Sequence, residues 1–242
     1  MNNPGALKNI RFVLARPSHP GNIGATARAM KTMGLSALHL VMPREFPHPD
    51  AEARASRADD VLRGAQVHAN LGAALRDCVL VVATSSRRRE LRHRQLEVRA
   101  AAHEVLAHAA THPVAVVFGN ETTGLTGEEA SHCQLWAEIP ADPQYPSLNL
   151  AAAAQVFAYE LHLAARDLPP PPAAEFEPAS SEQVEQLYRH FEKTMTHCGF
   201  FDPAQPKRLL PRLRRLLARA QLEAEEVNIL RGFLNVVDKM RR

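Results

Sequence analysis

Short runs of apolar, often β-branched residues alternate with segments of helical periodicity over the first two thirds of the chain. The apolar runs predict five strands, at residues 10–15, 37–42, 79–83, 114–118 and 135–139. Helices are expected to begin near residues 23, 51, 70, 96 and 126. This alternation predicts an α/β fold in which helices cover both faces of a mostly parallel sheet.

The pattern becomes purely helical in the last quarter of the chain. A run of four prolines, Pro169 to Pro172, cannot be helical and predicts a stiff, extended linker over residues 168–180. Helical periodicity then resumes over residues 181–198, 211–220 and 223–240. We therefore expect a domain of residues 1–167, the proline-rich linker, and a small all-helical domain of residues 181–242.

No segment of the sequence predicts a membrane span or export. The longest apolar stretch, residues 148–165, is interrupted by Asn149, Gln155 and Glu160, which is typical of an amphipathic helix. The N-terminus, Met-Asn-Asn-Pro, lacks a basic region followed by an apolar one. The three cysteines are too far apart to indicate a disulfide framework, so a reducing, cytoplasmic compartment is expected.

Two common kinds of cofactor site are not favoured. Among the twelve histidines, the best metal-ligand candidates are His103 and His108. A spacing of five places their rings about 140° apart around a helix, on different faces. No Gly-x-Gly-x-x-Gly follows a predicted strand, which disfavours a standard dinucleotide site. We therefore expect neither a metal nor a dinucleotide.

Positive charge is concentrated in the tail. Residues 207–242 contain ten Lys/Arg and four Asp/Glu, although the whole chain has a net charge of +3. Four of these arginines fall within about 60° of one another on a helix, namely Arg208, Arg212, Arg215 and Arg219. Pro211 fits only the first turn, so Arg208 is expected to precede the helix. Such a row suits the phosphates of a polyanion such as RNA, with a solvated helix face as the alternative.

Three polar segments stand where predicted strands end, at the sheet edge where open α/β folds bind ligands. The first, residues 17–24, contains Asn22 and leads into a helix that carries Arg28. Asn22 alone suits an N-cap. Arg28 lies among small apolar residues, so it is expected to be buried or in a cleft, with an anionic partner.

The other two segments follow later strands. In the second, Glu121 lies between Gly119 and Gly124, and glycine allows close approach of a ligand to the backbone. In the third, Ser147 and Asn149 stand at the start of a helix, where polar groups can be bound. An ordinary βα loop and simple helix capping are the alternatives for these segments when each is taken alone.

In this order and spacing, the three segments resemble the signature motifs of the SpoU branch of the SPOUT methyltransferases. The matching residues are Asn22-Ile23-Gly24 with Arg28, Phe118-Gly119-x-Glu121-x-x-Gly124-Leu125, and Ile139-Pro140 with Ser147-Leu148-Asn149. The resemblance covers the whole chain. Residues 18–24 and 27–35, together with 213–216 and 227–232 of the tail, resemble more narrowly the bacterial subgroup that 2′-O-methylates tRNA nucleotide 32.

The resemblance implies a Rossmann-like sheet whose C-terminal part is threaded into a trefoil knot, a rare exception to unknotted topology. It also implies a homodimer that binds S-adenosylmethionine within the knot. The cofactor pocket would be formed by Thr84, Ser85, Ser86, Gly119, Ile139, Pro146, Ser147 and Leu148. Pro146 has no N–H, so any contact there must use its carbonyl or ring.

The implied reaction is in-line displacement of a methyl group from a sulfonium by a ribose 2′-hydroxyl. The matching catalytic residues are Arg28, Asn22, Glu121, Ser147 and Asn149. Arginine is a poor general base because its pKa lies above about 12. We therefore expect Arg28 to clamp a neighbouring phosphate and stabilise alkoxide charge, in its own subunit's pocket or in the partner's. The other four would orient Arg28 and the ribose, and no metal is required.

The arginine-rich run that begins with Arg87, Arg88 and Arg89 directly follows the implied cofactor loop and is expected to bind substrate phosphates, with a solvated loop as the alternative. The sequence thus predicts a cytoplasmic tRNA ribose 2′-O-methyltransferase acting at nucleotide 32. The alternatives are a 2′-O-methyltransferase for ribosomal RNA or another tRNA position, and a non-catalytic RNA-binding protein of the same fold. The base preference and the set of tRNA substrates stay open.

Overall fold

The computed structural model describes residues 4–85, 94–166 and 176–240. The chain divides into two compact units, Met1–Pro172 and Ala173–Arg242, which we call the sheet unit and the helical unit. The four prolines of the predicted linker lie outside the described residues. Within the described part, no helix is long and apolar enough to cross a membrane.

The sheet unit contains one parallel sheet of seven strands among the described residues. The strands are β1 Ile10–Ala15, β2 Ala37–Val41, β3 Gln66–His68, β4 Leu80–Thr84, β5 Arg94–Glu97, β6 Val114–Phe118 and β7 Leu135–Glu138. Their order across the sheet is β3-β2-β1-β6-β4-β7-β5, and every pairing is parallel. The predicted α/β fold with a mostly parallel sheet is confirmed. The trefoil knot stays a prediction.

Helices connect these strands and cover the sheet. In the sheet unit they are α1 Pro4–Lys8, α2 Pro20–Thr32, α3 Pro49–Ala55, α4 Asp59–Arg63, α5 Leu71–Leu75, α6 Val98–Ala109, α7 Gly127–Ser131 and α8 Leu150–Arg166. Adjacent strand residues point to opposite faces, so Phe12 and Val13 belong to two separate apolar clusters. On the first face Phe12 packs against Phe118, with ring centroids 5.1 Å apart. The sheet is therefore buried on both faces.

Two strands were not predicted from the hydrophobic pattern. β3 and β5 form the two edges of the sheet, and their side chains are exposed or half-buried. A strand with few buried residues leaves no run of apolar side chains in the sequence. Because β5 occupies Arg94–Glu97, helix α6 begins at Val98, two residues after its expected start.

Helix α2, which carries the first polar segment, is packed very tightly against α3. A Cβ atom placed on Gly24 would lie 1.9 Å from the backbone oxygen of Ala51. Any side chain at this position would force the two helices apart. Gly24 therefore fixes the position of α2 at the carboxyl edge of the sheet.

The helical unit consists of α9 Ser181–His197, α10 Leu209–Ala220 and α11 Ala224–Met240. Its apolar core cluster consists of Ala179, Leu187, Val227 and Leu234. Pro211 lies in the first turn of α10, and Arg208 is the N-cap residue, so Arg208 precedes the helix as expected. The predicted all-helical C-terminal region is confirmed.

Candidate active site

The carboxyl ends of four neighbouring strands form one edge of the sheet unit. β1, β6, β4 and β7 are adjacent in the sheet and parallel, so the loops that follow them meet there. These loops carry the three polar segments identified in the sequence. The structure therefore brings together residues that are more than a hundred positions apart.

Glu121 is the centre of a hydrogen-bond network at this edge. Its Oε2 accepts from the backbone N–H and the hydroxyl of Ser18, at 2.9 and 2.7 Å. Its Oε1 accepts from Nδ2 of Asn22 at 2.9 Å and from the backbone N–H of His19 at 3.3 Å. The carboxylate thus ties the second polar segment to the first.

The same network sets the protonation state of Glu121. Burial alone would raise the pKa of its carboxyl group, but hydrogen bonds from Asn22 and Ser18 outweigh burial and lower that pKa to about 2. Glu121 is therefore ionised throughout the neutral range. A carboxylate with so low a pKa accepts hydrogen bonds well and is a poor general base.

Asn22 connects this network to the third polar segment. While its Nδ2 donates to Glu121, its Oδ1 accepts from Nδ2 of Asn149 at 3.1 Å. The side-chain oxygen of Asn149 in turn accepts from the backbone N–H groups of Ala151 and Ala152, as an N-cap residue of α8 does. The side chain of Asn149 therefore both caps α8 and contacts the site.

A pocket lies beside this network. Seven of the eight residues assigned to the cofactor line it, namely Thr84, Ser85, Gly119, Ile139, Pro146, Ser147 and Leu148. The eighth, Ser86, lies outside the described residues. Glu121 and Gly124 also line this pocket.

Gly119 is required by the close approach of two loop segments. A Cβ atom on Gly119 would lie 2.4 Å from the backbone carbon of Gly124, which has a φ of +68°. A side chain at position 119 would therefore displace the loop, whereas one at position 124 would have space but would strain the backbone. The two glycines of the second polar segment thus shape the wall of the pocket.

Arg28 does not join the network within the described residues. It is exposed, so of the two expected placements, buried or in a cleft, burial is excluded. The reason is helical geometry: six residues separate it from Asn22, which places it about 120° around α2 and about 9 Å further along the axis. Arg28 makes no hydrogen bond or ion pair with another described residue, and its guanidinium is available to a ligand.

Arg16 supports the site and was missed in the sequence. Its Nε and one terminal nitrogen donate to Glu129, at 2.7 and 2.8 Å, and that nitrogen also donates to the backbone oxygen of Gly124 at 3.0 Å. The backbone oxygen of Arg16 accepts from Nδ2 of Asn120 at 2.8 Å. These contacts hold the loop after β6 against the end of β1. No local pattern links Arg16 to residues more than a hundred positions away.

The arginines of the helical unit differ in exposure. Arg208, Arg212 and Arg219 are exposed, whereas Arg215 is half-buried and its Nε has no partner among the described residues. Arg87, Arg88 and Arg89 lie outside the described residues. In residues 4–85, 94–166 and 176–240, no group of three His, Cys, Asp or Glu side chains is arranged to hold a metal ion.

Comparison with known families gives matches over both units. The model of the SpoU rRNA Methylase family matches residues 9–159. The model of the C-terminal domain of the tRNA methyltransferase TrmJ matches residues 182–242. The two matches together leave only short segments of the chain unassigned.

Individual relatives match over nearly their full length. The tRNA (cytidine/uridine/adenosine-2′-O-)-methyltransferase TrmJ of Pseudomonas aeruginosa (strain UCBPP-PA14) is 46% identical over 247 residues, which covers 98% of this chain and 96% of that protein. The tRNA (cytidine/uridine-2′-O-)-methyltransferase TrmJ of Yersinia enterocolitica is 44% identical over 238 residues, 96% of this chain and 93% of that protein.

A solved structure supports the same assignment. The crystal structure of TrmJ from Z. mobilis ZM4 superposes with a TM-score of 0.83 at 32% identity, and the match covers 94% of this chain and 98% of that one. The resemblance found in the sequence motifs is thus confirmed over both units. The chain belongs to the SpoU methylase family of RNA methyltransferases, in its TrmJ group.

Proposed function

We propose that this protein transfers a methyl group from S-adenosylmethionine to the ribose 2′-oxygen of nucleotide 32 in the anticodon loop of tRNA, in the cytoplasm. The observation that carries the proposal is the network of Glu121, Asn22 and Asn149, which joins all three motifs beside one pocket. The match of the tail to the TrmJ C-terminal domain favours tRNA over ribosomal RNA as the substrate.

The pocket suits a methyl donor of this kind. Gly119 and Gly124 leave its wall without side chains, so backbone groups can contact a ligand directly. Thr84, Ser85 and Ser147 add short polar side chains to the lining, and Ile139 and Leu148 add apolar ones. When bound there, S-adenosylmethionine supplies an electrophilic methyl group. We assign its binding to these residues, to Pro146, and to Ser86 in the neighbouring loop.

Glu121 acts in this proposal as a fixed acceptor and not as a base. Its ionised carboxylate holds the amide of Asn22 in one orientation, and Asn22 in turn holds Asn149. Such a preorganised set of dipoles can orient a ribose without reorganising during the reaction. Ser147, on the pocket wall, completes the set of polar groups at the site.

Arg28 is proposed to bind the RNA backbone and stabilise the developing alkoxide. Its exposure and its lack of a partner among the described residues leave the guanidinium able to bind a phosphate. We propose that the enzyme acts as a homodimer, as its family membership implies. Further phosphates of the same tRNA would be bound by Arg208, Arg212, Arg215 and Arg219 at α10, and by Arg87, Arg88 and Arg89.

The experiment that tests this function measures methyl transfer from labelled S-adenosylmethionine to unmodified tRNA transcripts, with mapping of the modified nucleotide. We expect label at the 2′-oxygen of nucleotide 32, with loss of about 100-fold or more of the activity in Arg28→Ala. Transcripts with each of the four bases at that position reveal the base preference. Folding and dimer formation of the variant serve as controls.

Each other outcome contradicts a defined part of the proposal. Label at another tRNA nucleotide, or on ribosomal RNA alone, would keep the chemistry and overturn the substrate. No transfer to either RNA by a folded protein, together with no binding of the methyl donor, would favour a non-catalytic RNA-binding protein.

A further inference from the structure

A second arginine that the sequence motifs do not include stands beside the first polar segment. A Cβ atom placed on Gly21, next to Asn22, would lie 3.5 Å from Cγ of Arg54. Arg54 belongs to the last turn of α3, and the contact between Gly24 and Ala51 fixes α3 against α2. The packing of two helices therefore places Arg54 at the end of α2 where the site lies.

Arg54 is exposed and makes no hydrogen bond or ion pair with another described residue. Nearby basic side chains differ in this respect. Nζ of Lys31 donates to Asp60 at 2.7 Å, and Arg16 is held by Glu129. Those cations are held in ion pairs within the fold, whereas Arg54 forms no ion pair with a residue that the structure describes. An exposed cation beside a nucleic-acid site is suited to a phosphate.

Arg54 also lies on the same side of α2 as Arg28. Gly21 and Arg28 are seven residues apart, which places them within about 20° of one another and about 10 Å apart along the helix axis. The position between them on this face, Ala25, is small and half-buried. Two guanidinium groups thus lie on one side of α2, and the contact of Gly24 with Ala51 of α3 falls between their positions along the helix.

We propose that Arg54 is an RNA-binding residue, which contacts a backbone phosphate of the tRNA next to the one bound by Arg28. The inference rests on the proposed function and adds a positioning residue to it. It assigns Arg54 no role in binding the methyl donor or in the chemical step. Its contribution is electrostatic and independent of base sequence.

The test measures tRNA binding as a function of salt concentration for Arg54→Ala, Arg54→Lys and Arg57→Ala. Arg57 is the matched control because it is exposed and belongs to the same segment, yet its backbone oxygen accepts from Lys31, near the opposite end of α2. All three proteins are checked for folding by circular dichroism. Methyl transfer and donor affinity are measured in parallel for the wild type and the three variants.

We expect Arg54→Ala to weaken tRNA binding roughly 3- to 10-fold and to reduce the slope of log K against log salt by about one. KM for tRNA should rise, while kcat and the affinity for S-adenosylmethionine stay unchanged. Arg54→Lys should keep the salt slope, and Arg57→Ala should keep both slope and affinity.

The outcomes separate this inference from the proposed function. If the wild type methylates tRNA and Arg54→Ala has the same salt slope as Arg57→Ala, the role of Arg54 is wrong and the function stands. A fall in donor affinity or kcat for Arg54→Ala would also contradict it, since a phosphate contact leaves both unchanged. If the wild type neither binds nor methylates tRNA, the function and the inference fail together.

Discussion

The sheet unit and the helical unit of this protein differ in how much apolar surface they bury. The sheet unit has an apolar cluster on each face of its sheet, and its central strand β6 is fully buried. The helical unit has one small cluster of four buried residues, and α10 contributes none of them. A large two-sided core can hold polar groups at fixed distances, whereas a small one mainly displays its surface.

The polar groups of the two units differ in the same way. In the sheet unit, Glu121 accepts four hydrogen bonds and Asn22 is engaged at both ends of its amide. In the helical unit, Arg212 and Arg219 are exposed on α10. The first arrangement suits catalysis, which depends on geometry, and the second suits binding to a polyanion, which depends on charge.

The largest effect is expected from Glu121→Gln. The new amide group would place an N–H donor against Asn22 or Ser18, where the carboxylate now accepts. We expect kcat to fall about 100-fold or more, in steady-state assays of methyl transfer. Glu128→Gln, an exposed carboxylate on α7, is the control and should retain activity. Activity of Glu121→Gln within about threefold of the wild type would show that the network does not position the reaction.

The next largest effect tests whether the units are independently stable. Leu187→Ala, in the helical core, should cost about 2–4 kcal/mol and unfold that unit first. Trp136 is the only tryptophan and lies in β7, so its fluorescence reports on the sheet unit alone. Circular dichroism reports on both units.

The matched variant for this test is Leu161→Ala on α8, which is equally buried in the sheet unit. Leu187→Ala should weaken tRNA binding and leave donor binding and the Trp136 transition unchanged. Leu161→Ala should lower the Trp136 transition. If Leu187→Ala shifted the unfolding transitions seen by Trp136 fluorescence and by circular dichroism equally, the two units would unfold together.

A smaller effect is a loss of stability of the sheet unit as the pH falls. Nδ1 of His39 lies 2.9 Å from Nε2 of His68. In this hydrogen bond one of the two nitrogens must be an acceptor, so the two rings cannot both be positively charged. Burial, with the nearby charges of Arg11 and His68, lowers the pKa of His39 to about 4, while Asp77 opposes the shift. The unfolded chain, with a histidine pKa near its ordinary value, binds the proton more readily.

The sign of the pH effect follows from this lowered pKa. The stabilisation from neutral His39 is fully present above about pH 6.5 and is lost progressively as the pH falls toward 4, on the order of 2 kcal/mol in total. Glu121 stays ionised over this range. Urea unfolding followed by Trp136 at pH 7 and pH 5 measures the loss. His39→Gln should reduce this loss, and the exposed His103→Gln should not; the half-buried His108, whose pKa is also lowered by burial, accounts for part of what remains. Equal losses in all three proteins would exclude His39 as the cause.

The smallest effect is expected from substitution of two neighbouring arginines of α10, one of which should affect tRNA binding and the other stability. Arg212 is exposed, so Arg212→Ala should weaken tRNA binding a few-fold and reduce the salt slope by about one, with unchanged thermal stability. Arg214 instead donates to Glu185 and lies 4.2 Å from the centroid of the Tyr188 ring. Arg214→Ala should therefore destabilise the helical unit. Equal effects of the two substitutions on stability would contradict the distinction.

Strong periodic patterns made much of the fold predictable. Strands β1 and β6 were predicted with their observed bounds, because both are central and consist almost wholly of buried apolar residues. Strands β3 and β5 were missed because each is an edge strand with exposed side chains. Their backbone hydrogen bonds to β2 and β7, and not their side chains, make them strands.

The site was predictable only in part, for a similar reason. Asn22, Glu121 and Asn149 could be singled out because polar residues stood where buried strands end. The placement of Arg28 on the exposed side of α2 was not predicted. The small apolar residues around it are buried by other elements of the fold, and the sequence does not show which face of α2 those elements cover. Arg16 and Arg54 gave no local signal, since their positions depend on contacts across the chain.

The sequence by itself determined the class of fold and the order of its central strands along the chain, because periodicity is a local property. The residues for methyl transfer were indicated by the resemblance of its motifs to those of the SpoU methyltransferases. Tertiary structure decided which side chains meet. Glu121 finds Ser18 and Asn22 about a hundred positions away because parallel strands end at one edge of the sheet. Arg54 stands beside Gly21 because Gly24 lets two helices touch. Such contacts depend on the packing of elements distant in sequence, which no local pattern records.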